Sequence, residues 1–403
     1  MVLYIFNPDT DLALANGNGN YTPTEGVRQM ISDLAMLPVW YAQPGSYVLA
    51  EQAYNQAFLE EMTAHFGLDI KLLPLFELKS LFAQSNMTDS PMVTTPLEVR
   101  PWGWNPSFRN MLHRAGILEA YLPDDAALDA RRQLSQRKMV GLLLEQFDND
   151  PDFCGISRNV TDTAYCEHYF NLLKDQGGVV FKEPWSSSGK GLLWCRDVFD
   201  TRDKNWCQRV IGNQGYVTMM PIYNKLQDFA MELHVGETPD HPVTFLGYSL
   251  FDTDKKGAYR GNALLSDEEI EHCLAEYVPK ASLEKTLHVV SHFLVQQGYK
   301  GCVGVDMMIC QEPDGMCILP CVEINYRHTM GYVARVMKDR FLAEQAQGQF
   351  MIRHFRTHDE LLHFVEENQS KAPLHIQQGK LQRGFLPLVP ITPNSVNLAY
   401  IIV

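Results

Sequence analysis

The sequence predicts an α/β N-terminal domain followed by an α+β region in two parts. Three observations carry that reading. Over the first 130 residues, strand-like runs alternate with helix-like periods, the pattern of a layered α/β unit. From residue 160 onward, short strands are punctuated by glycine turns and interleaved with helices. A pair of strand-like runs at residues 179–194 is joined by a loop richer in chemistry than a turn requires. The 403 residues suffice for two or three domains. The expected boundaries are 1–130, then 131–215 as a first lobe, then 216–403 as a second.

Taken in order, "VLYIF" at residues 2–6 reads as a buried strand, and "NPDTDLALANGNGNYTP" behind it as a long polar loop. "MLPVWYA", "SYVLA" and "LDIKLLPL" read as further strands, with "AEQAYNQAFLEEMTAHFG" helical between them. "PWGWNPSFRNMLHRAGI" and "DARRQLSQRKMVGLLLEQF" read as amphipathic helices, and "FDNDPDFCG" as a linker. Five strand-like runs follow, from "GGVVFKEP" to "VTFLGYSLF". "GYSLFDTDKKGAYRGN" is too polar and glycine-broken for core. After one long helical stretch from "SDEEIEHCLAEYV" to "SHFLVQQG" come "GCVGVDMMICQ" and "GMCILPCVEIN". The apolar tail "GFLPLVPITPNSVNLAYIIV" is cut by Pro387, Pro390 and Pro393, so it reads as two short strands rather than a membrane helix.

A net charge of -14 argues against broad nucleic-acid or anionic-membrane binding, where clustered Lys and Arg dominate. The N-terminus lacks a basic leader and a long apolar region, so it is no signal peptide. Nine cysteines without a repeated CxxC point to reduced thiols in a cytoplasm. His354 and His358 stand four apart, but no HExxH and no third ligand supports zinc. The N-terminal loop offers Asn7, Asp9 and Asp11 at the end of the first strand, where ligands dock in α/β sheets, without the GxGxxG of a dinucleotide site. Turn-making explains them as well.

Two blocks carry the functional reading. In "VVFKEPWSSSGKGLLW" Lys182 ends a strand, and a Ser/Gly loop with a second lysine follows. A hairpin needs only about two to five connecting residues. A strand lysine supplies a fixed charge, and Ser and Gly amides wrap phosphate oxygens. The spacing is not that of a P-loop, and a solubilising surface hairpin is the plain alternative. In "GVDMMICQEPDGMCILPCVEINYRHTMG", Glu323 and Asn325 are two apart and leave one face of a strand. If the two runs pair through "QEPDG", Asp306 sits across from them. Such oxygen donors suit Mg2+, and Arg327 follows on the outward face for a phosphoryl or carboxylate group. Edge-strand polarity is the alternative, weakened because charge inside an apolar strand is costly without a partner.

Together these blocks resemble the ATP-grasp superfamily, over residues 130 to 335. The resemblance implies an α/β domain followed by a two-lobed, α+β catalytic region that grips ATP. It implies that Lys182 contacts the α- and β-phosphates, and that Ser186, Ser187, Ser188, Gly189, Lys190 and Gly191 close over the triphosphate. Asp306, Glu323 and Asn325 would carry one or two Mg2+ (Mn2+ suits the same donors), and Arg327 would steady the transferred phosphoryl. An earlier basic residue would join Lys182: Lys138, or Arg137 as the alternative. The hinge strand departs from the family, with Met219 and Met220 where an acid is expected. Backbone groups of Met220 and Ile222 are then the candidates for adenine, and Asp228 for ribose, with Glu232 in reserve. Arg260, ahead of Lys255 and Lys256, is the candidate for an acceptor carboxylate or acyl-phosphate.

The resemblance implies an ADP-forming ligase that activates a small carboxylate as an acyl-phosphate and joins it to an amine or thiol. A small-molecule kinase of the same fold is the alternative, and a non-catalytic nucleotide sensor is the alternative of another class. Partners are expected to be small molecules, with a homodimer as the default assembly.

Overall fold

The structure is a computed structural model. It describes all residues except 79–96, 149, 187–190, 237, 239–241, 255, 256 and 258. In chain order the first strands are β1 (Val2–Ile5), β2 (Ser46–Leu49), β3 (Ile70–Leu73), β4 (Glu98–Pro101), β5 (Arg158–Val160) and β6 (Val179–Lys182). Next come β7 (Leu192–Cys195), β8 (Val217–Pro221), β9 (Lys225–Val235), β10 (Val243–Thr253), β11 (Tyr259–Leu264) and β12 (Gly301–Glu312). The last are β13 (Gly315–Asn325), β14 (Gly348–His354), β15 (His375–Gln377), β16 (Lys380–Arg383), β17 (Phe385–Pro387) and β18 (Asn397–Ile402). The chain divides into two compact units, residues 1–130 with 261–266 and 333–403, and residues 131–260 with 267–332.

In the first unit, β1 to β4 form a parallel sheet in the order β3-β2-β1-β4. Leu3 and Ile5 of β1 enter a core with Leu73, Val99, Phe108 and Leu112. The helix Pro106–Arg114 is started by Asn105, whose side chain accepts from the Phe108 N–H at 2.9 Å, with Pro106 at its first position. "MLPVWYA" is not a strand: Leu37–Trp40 is a 3-10 turn, buried on every side and containing Pro38, which has no N–H to give a sheet ladder.

Residues 333–403 cluster with this unit rather than with the second lobe of the sequence expectation. Long-range bonds explain why. The Trp40 indole donates to the Leu388 carbonyl at 2.7 Å. Asp33 accepts from the Val396 and Asn397 backbone N–H groups and from the Asn397 amide. The proline-cut tail forms β17 and β18, paired antiparallel. His354 and His358 are engaged with Asn397 and Ser395.

In the second unit, the small antiparallel sheet β5-β8-β6-β7 rests on the helices Thr163–Leu173 and Thr201–Gln214 through Phe170, Phe181, Cys207, Val210 and Met219. The longer strands β13, β12, β9 and β10 pair antiparallel in that order. The long helical stretch is two helices, Asp267–Ala275 and Lys280–Gln296, because Pro279 ends the first pattern and leads the second. "DARRQLSQRKMVGLLLEQF" likewise breaks into Asp125–Leu134 and Lys138–Leu144. Of "GYSLFDTDKKGAYRGN", the residues up to Thr253 belong to β10 and those from Tyr259 onward to β11, so side chains on these two parts alternate between sheet faces. All nine cysteines are free thiols. No helix among the described residues is long and apolar enough to cross a membrane.

Candidate active site

The site residues of the second unit lie on two sheets. On the first, β6 is apolar and buried through Phe181 and ends in Lys182, opposite Thr218 on β8 and Leu192 on β7. Val180 lies opposite Met220, so Lys182 and Met220 share a face. Phe181 and Met219 take the other face, against the helices. Of the methionine pair, then, Met220 is the one on the lysine side. The Ile222 N–H donates to the Gly178 carbonyl at 3.0 Å, so this donor, expected for a base, is committed within the sheet.

The chain after Lys182 turns out through Trp185, whose indole donates to the Arg132 carbonyl at 2.9 Å beneath the Arg132 guanidinium. The loop closes where the Glu183 N–H meets the Gly191 carbonyl at 2.8 Å. Gly191 has φ +66, and a Cβ there would lie 2.7 Å from the Ser186 Cβ, so only glycine fits this return. Ser187, Ser188, Gly189, Lys190, Lys255 and Lys256 lie outside the described residues.

On the second sheet, the expected hairpin forms. β12 and β13 pair with Asp306 opposite Glu323 and Gly304 opposite Asn325. β9 adds Ala230 beside Asp306, Glu232 beside Gly304 and Asp228 beside Met308. Residues opposed in this way leave the same face, so one surface gathers Asp228, Glu232, Asp306, Glu323 and Asn325. The Asn325 amide donates to Asp306 Oδ2 at 3.1 Å, and its oxygen accepts from Arg327 at 2.8 Å.

Arg137 ties the two sheets together. Its guanidinium lies 3.2 Å from Glu323 Oε1 and donates to Ser186 Oγ at 3.0 Å, while the Arg137 backbone N–H donates to the Pro184 carbonyl. Its Nε is buried with no hydrogen-bond partner among the described residues. Between the two basic candidates at the start of that helix, it is Arg137 that reaches the cluster; Lys138 is half-buried one residue on. Lys182 is only 6% exposed. Burial, with the Arg137 charge beside it, pushes its pKa down to about 7, against the pull of Glu323, Cys321 and Asp306. Asp306 is pushed up to about 7 by burial and then by Glu323, and Glu232 to about 8 by burial. Lys182, Arg137, Asp306 and Glu323 therefore act on one another as a single electrostatic cluster.

Asp228 is buried and held by Lys225 and by Thr253 Oγ1 at 2.6 Å. Arg260 is exposed on β11, and among the described residues no contact links it to the cluster. Sequence reasoning passed over Thr329 and kept Glu232 only in reserve. A glutamate inside the apolar run "FAMELHV" and the glycines 304 and 331 were the available signals. In the first unit, Asn7 bonds both polar groups of the Gly103 backbone, and burial raises the Asp9 pKa.

The donor set fits a small divalent cation. Two facing carboxylates with an adjacent amide oxygen are hard ligands, and Mg2+ typically takes its remaining positions from water and phosphate. Among the described residues, no three His, Cys, Asp or Glu side chains are grouped so as to hold a metal ion by themselves. The buried, unpartnered Arg137 Nε and the desolvated Lys182 ammonium suit an anion alongside.

No family profile and no curated protein sequence matches the chain. Among solved structures it is similar to the biotin carboxylase of Campylobacter jejuni in a β,γ-ATP complex, with TM-score 0.52 and 9% identity over 100% of this chain and 86% of that one. It is also similar to Rhizobium etli pyruvate carboxylase, with TM-score 0.51 and 9% identity over 100% of this chain and 35% of that one. The Staphylococcus aureus N5-carboxyaminoimidazole synthetase complexed with ADP gives TM-score 0.47 and 11% identity over 99% and 92%. The chain has the ATP-grasp fold.

Proposed function

We propose that the protein is an ATP- and Mg2+-dependent, ADP-forming ligase. It activates a small carboxylate and joins it to an amine or thiol. The observation that carries this reading is the mutual placement of Lys182, Arg137, Glu323 and Asp306, cationic and anionic groups held within electrostatic reach in the second unit. Such a constellation binds a metal–triphosphate better than either a lone cation or a lone metal.

In this reading Lys182 and Arg137 bind the phosphates, and Asp306, Glu323 and Asn325 hold Mg2+, which neutralises charge on the phosphate oxygens when bound. A substrate carboxylate oxygen attacks the γ-phosphorus, and the bond to the β,γ-bridging oxygen breaks to release ADP. Arg327, fixed on Asn325, faces the charge that spreads over the transferred group. The amine or thiol then adds to the acyl carbon and phosphate leaves, with the amine proton passing to a base. The loop that begins at Ser186 keeps water from the acyl-phosphate. Bound triphosphate would favour the charged form of Lys182, opposing the burial that lowers its pKa to about 7. Similarity in fold to biotin carboxylase, crystallised with a β,γ-ATP ligand, supports the nucleotide assignment.

The test is a panel of small carboxylates with amines and thiols, scored for ADP, free phosphate and phosphorylated product. Free phosphate with a dehydrated conjugate is expected. A product that retains the phosphoryl group would make the protein a kinase, and tight ATP binding without ADP formation would make it a sensor. Glu323→Gln is expected to abolish ADP formation in a folded protein, and normal turnover in it would overturn the assignment.

A further inference from the structure

We infer that Glu232 is a positioning residue for Arg327, acting through Thr329. The inference rests on the reading of Arg327 as the residue that meets the transferred phosphoryl group. Glu232 is buried on β9, in register with Gly304 of β12 and, beyond it, Asn325 of β13. Its Oε2 accepts from Thr329 Oγ1 at 2.7 Å. The same hydroxyl accepts from the Tyr332 N–H at 3.0 Å, which fixes the start of the helix Met330–Val336. Carboxylate, hydroxyl and helix start form one chain.

Two glycines make room for it. A Cβ at Gly304 would lie 2.9 Å from Glu232 Oε2 and 2.6 Å from the Thr329 methyl, and one at Gly331 only 2.1 Å from Glu232 Oε1. A carboxyl group in such a place costs more than an apolar side chain of the same size, so packing alone does not explain it.

What the chain holds is the short segment carrying Arg327. One end is fixed where Asn325 leaves β13 and accepts from the Arg327 guanidinium at 2.8 Å. The other end is fixed where Thr329 meets Glu232. Between them Arg327 also donates to the His328 carbonyl at 3.0 Å, so its guanidinium is aimed by both anchors. Cutting the Glu232 anchor removes the hold at the Thr329 end of this segment.

The experiment is calorimetric binding of the Mg2+ complex of β,γ-imido-ATP, with MgADP as the comparison, to the full chain. The expected result is that Glu232→Ala weakens the triphosphate analogue about tenfold, the scale of one buried hydrogen bond, and MgADP by no more than about twofold. Glu232→Gln, whose amide oxygen still accepts from Thr329, is expected to stay within about threefold of the native protein, and Thr329→Val to resemble Glu232→Ala. In an Arg327→Ala background, Glu232→Ala is expected to add no further loss. Additive losses, equal losses for the two nucleotides, or unchanged analogue binding in both Glu232→Ala and Thr329→Val would overturn the inference alone. Failure of the native protein to bind either nucleotide would overturn it together with the ligase reading.

Discussion

Replacing Lys182 by Met removes a charge that the fold holds at a cost, so the ligand-free variant is expected to be more stable than the native protein. Lys182 is 6% exposed, and its pKa falls from the ordinary 10.5 to about 7, with burial the largest cause. At 1.36 kcal/mol per unit, that gap is a burden on the order of 4 kcal/mol at pH 7, where the unfolded lysine is fully protonated. Between pH 7 and 10.5 the unfolded chain binds more protons than the folded one, so native stability rises with pH across that window. Methionine has no such slope. Its advantage therefore shrinks to on the order of 2 kcal/mol at pH 9. Glu232 titrates in both proteins and largely cancels in the difference. The assay is urea unfolding of both proteins at pH 7 and pH 9 without Mg2+ or nucleotide. A variant less stable than native at pH 7, or a difference that does not change with pH, would refute the reasoning.

Three further outcomes follow from other parts of the molecule. Because Asp306 is pushed up to about 7, Mg2+ must displace a proton at low pH; its apparent affinity should strengthen about tenfold from pH 6 to pH 8, with proton release seen by calorimetry in buffers of different ionisation enthalpy. A flat profile would contradict it. Gly331→Ala places a methyl 2.1 Å from Glu232 Oε1 and 2.5 Å from Ser249 Oγ, and should cost about 1–3 kcal/mol in thermal unfolding. Asp33→Ala strips the acceptor from two backbone N–H groups and the Asn397 amide, so a loss of about 3 kcal/mol or more in thermal unfolding is expected, and a loss below about 1 kcal/mol would count against these bonds holding residues 396 and 397 to the first unit.

The elements that read correctly from sequence are those whose local pattern and tertiary role agree. "VVFK" becomes a buried strand, and the two runs flanking "QEPDG" pair as a hairpin, but Asp306 meets Glu323 only because the ladder shifts between Asp306 and Met308; an unbroken register from the turn would set Asp306 opposite Cys321. "MLPVWYA" misled because a run buried on all sides has no period to separate strand from turn. The allegiance of residues 333–403 was hidden because it rests on single bonds such as Trp40 to Leu388, hundreds of residues apart. Arg137 over Lys138 was a matter of helix phase, which one residue reverses. Glu232 and Thr329 meet only after the chain passes through β12 and β13, so no spacing in the sequence announces their bond.

A crystal structure with Mg2+ and a non-hydrolysable ATP analogue tests the central claim most directly. It should place triphosphate oxygens within hydrogen-bonding distance of Lys182 Nζ and Arg137, with the cation on Asp306, Glu323 and Asn325. A nucleotide bound elsewhere, or a cation that none of these three oxygens touches, would contradict the account.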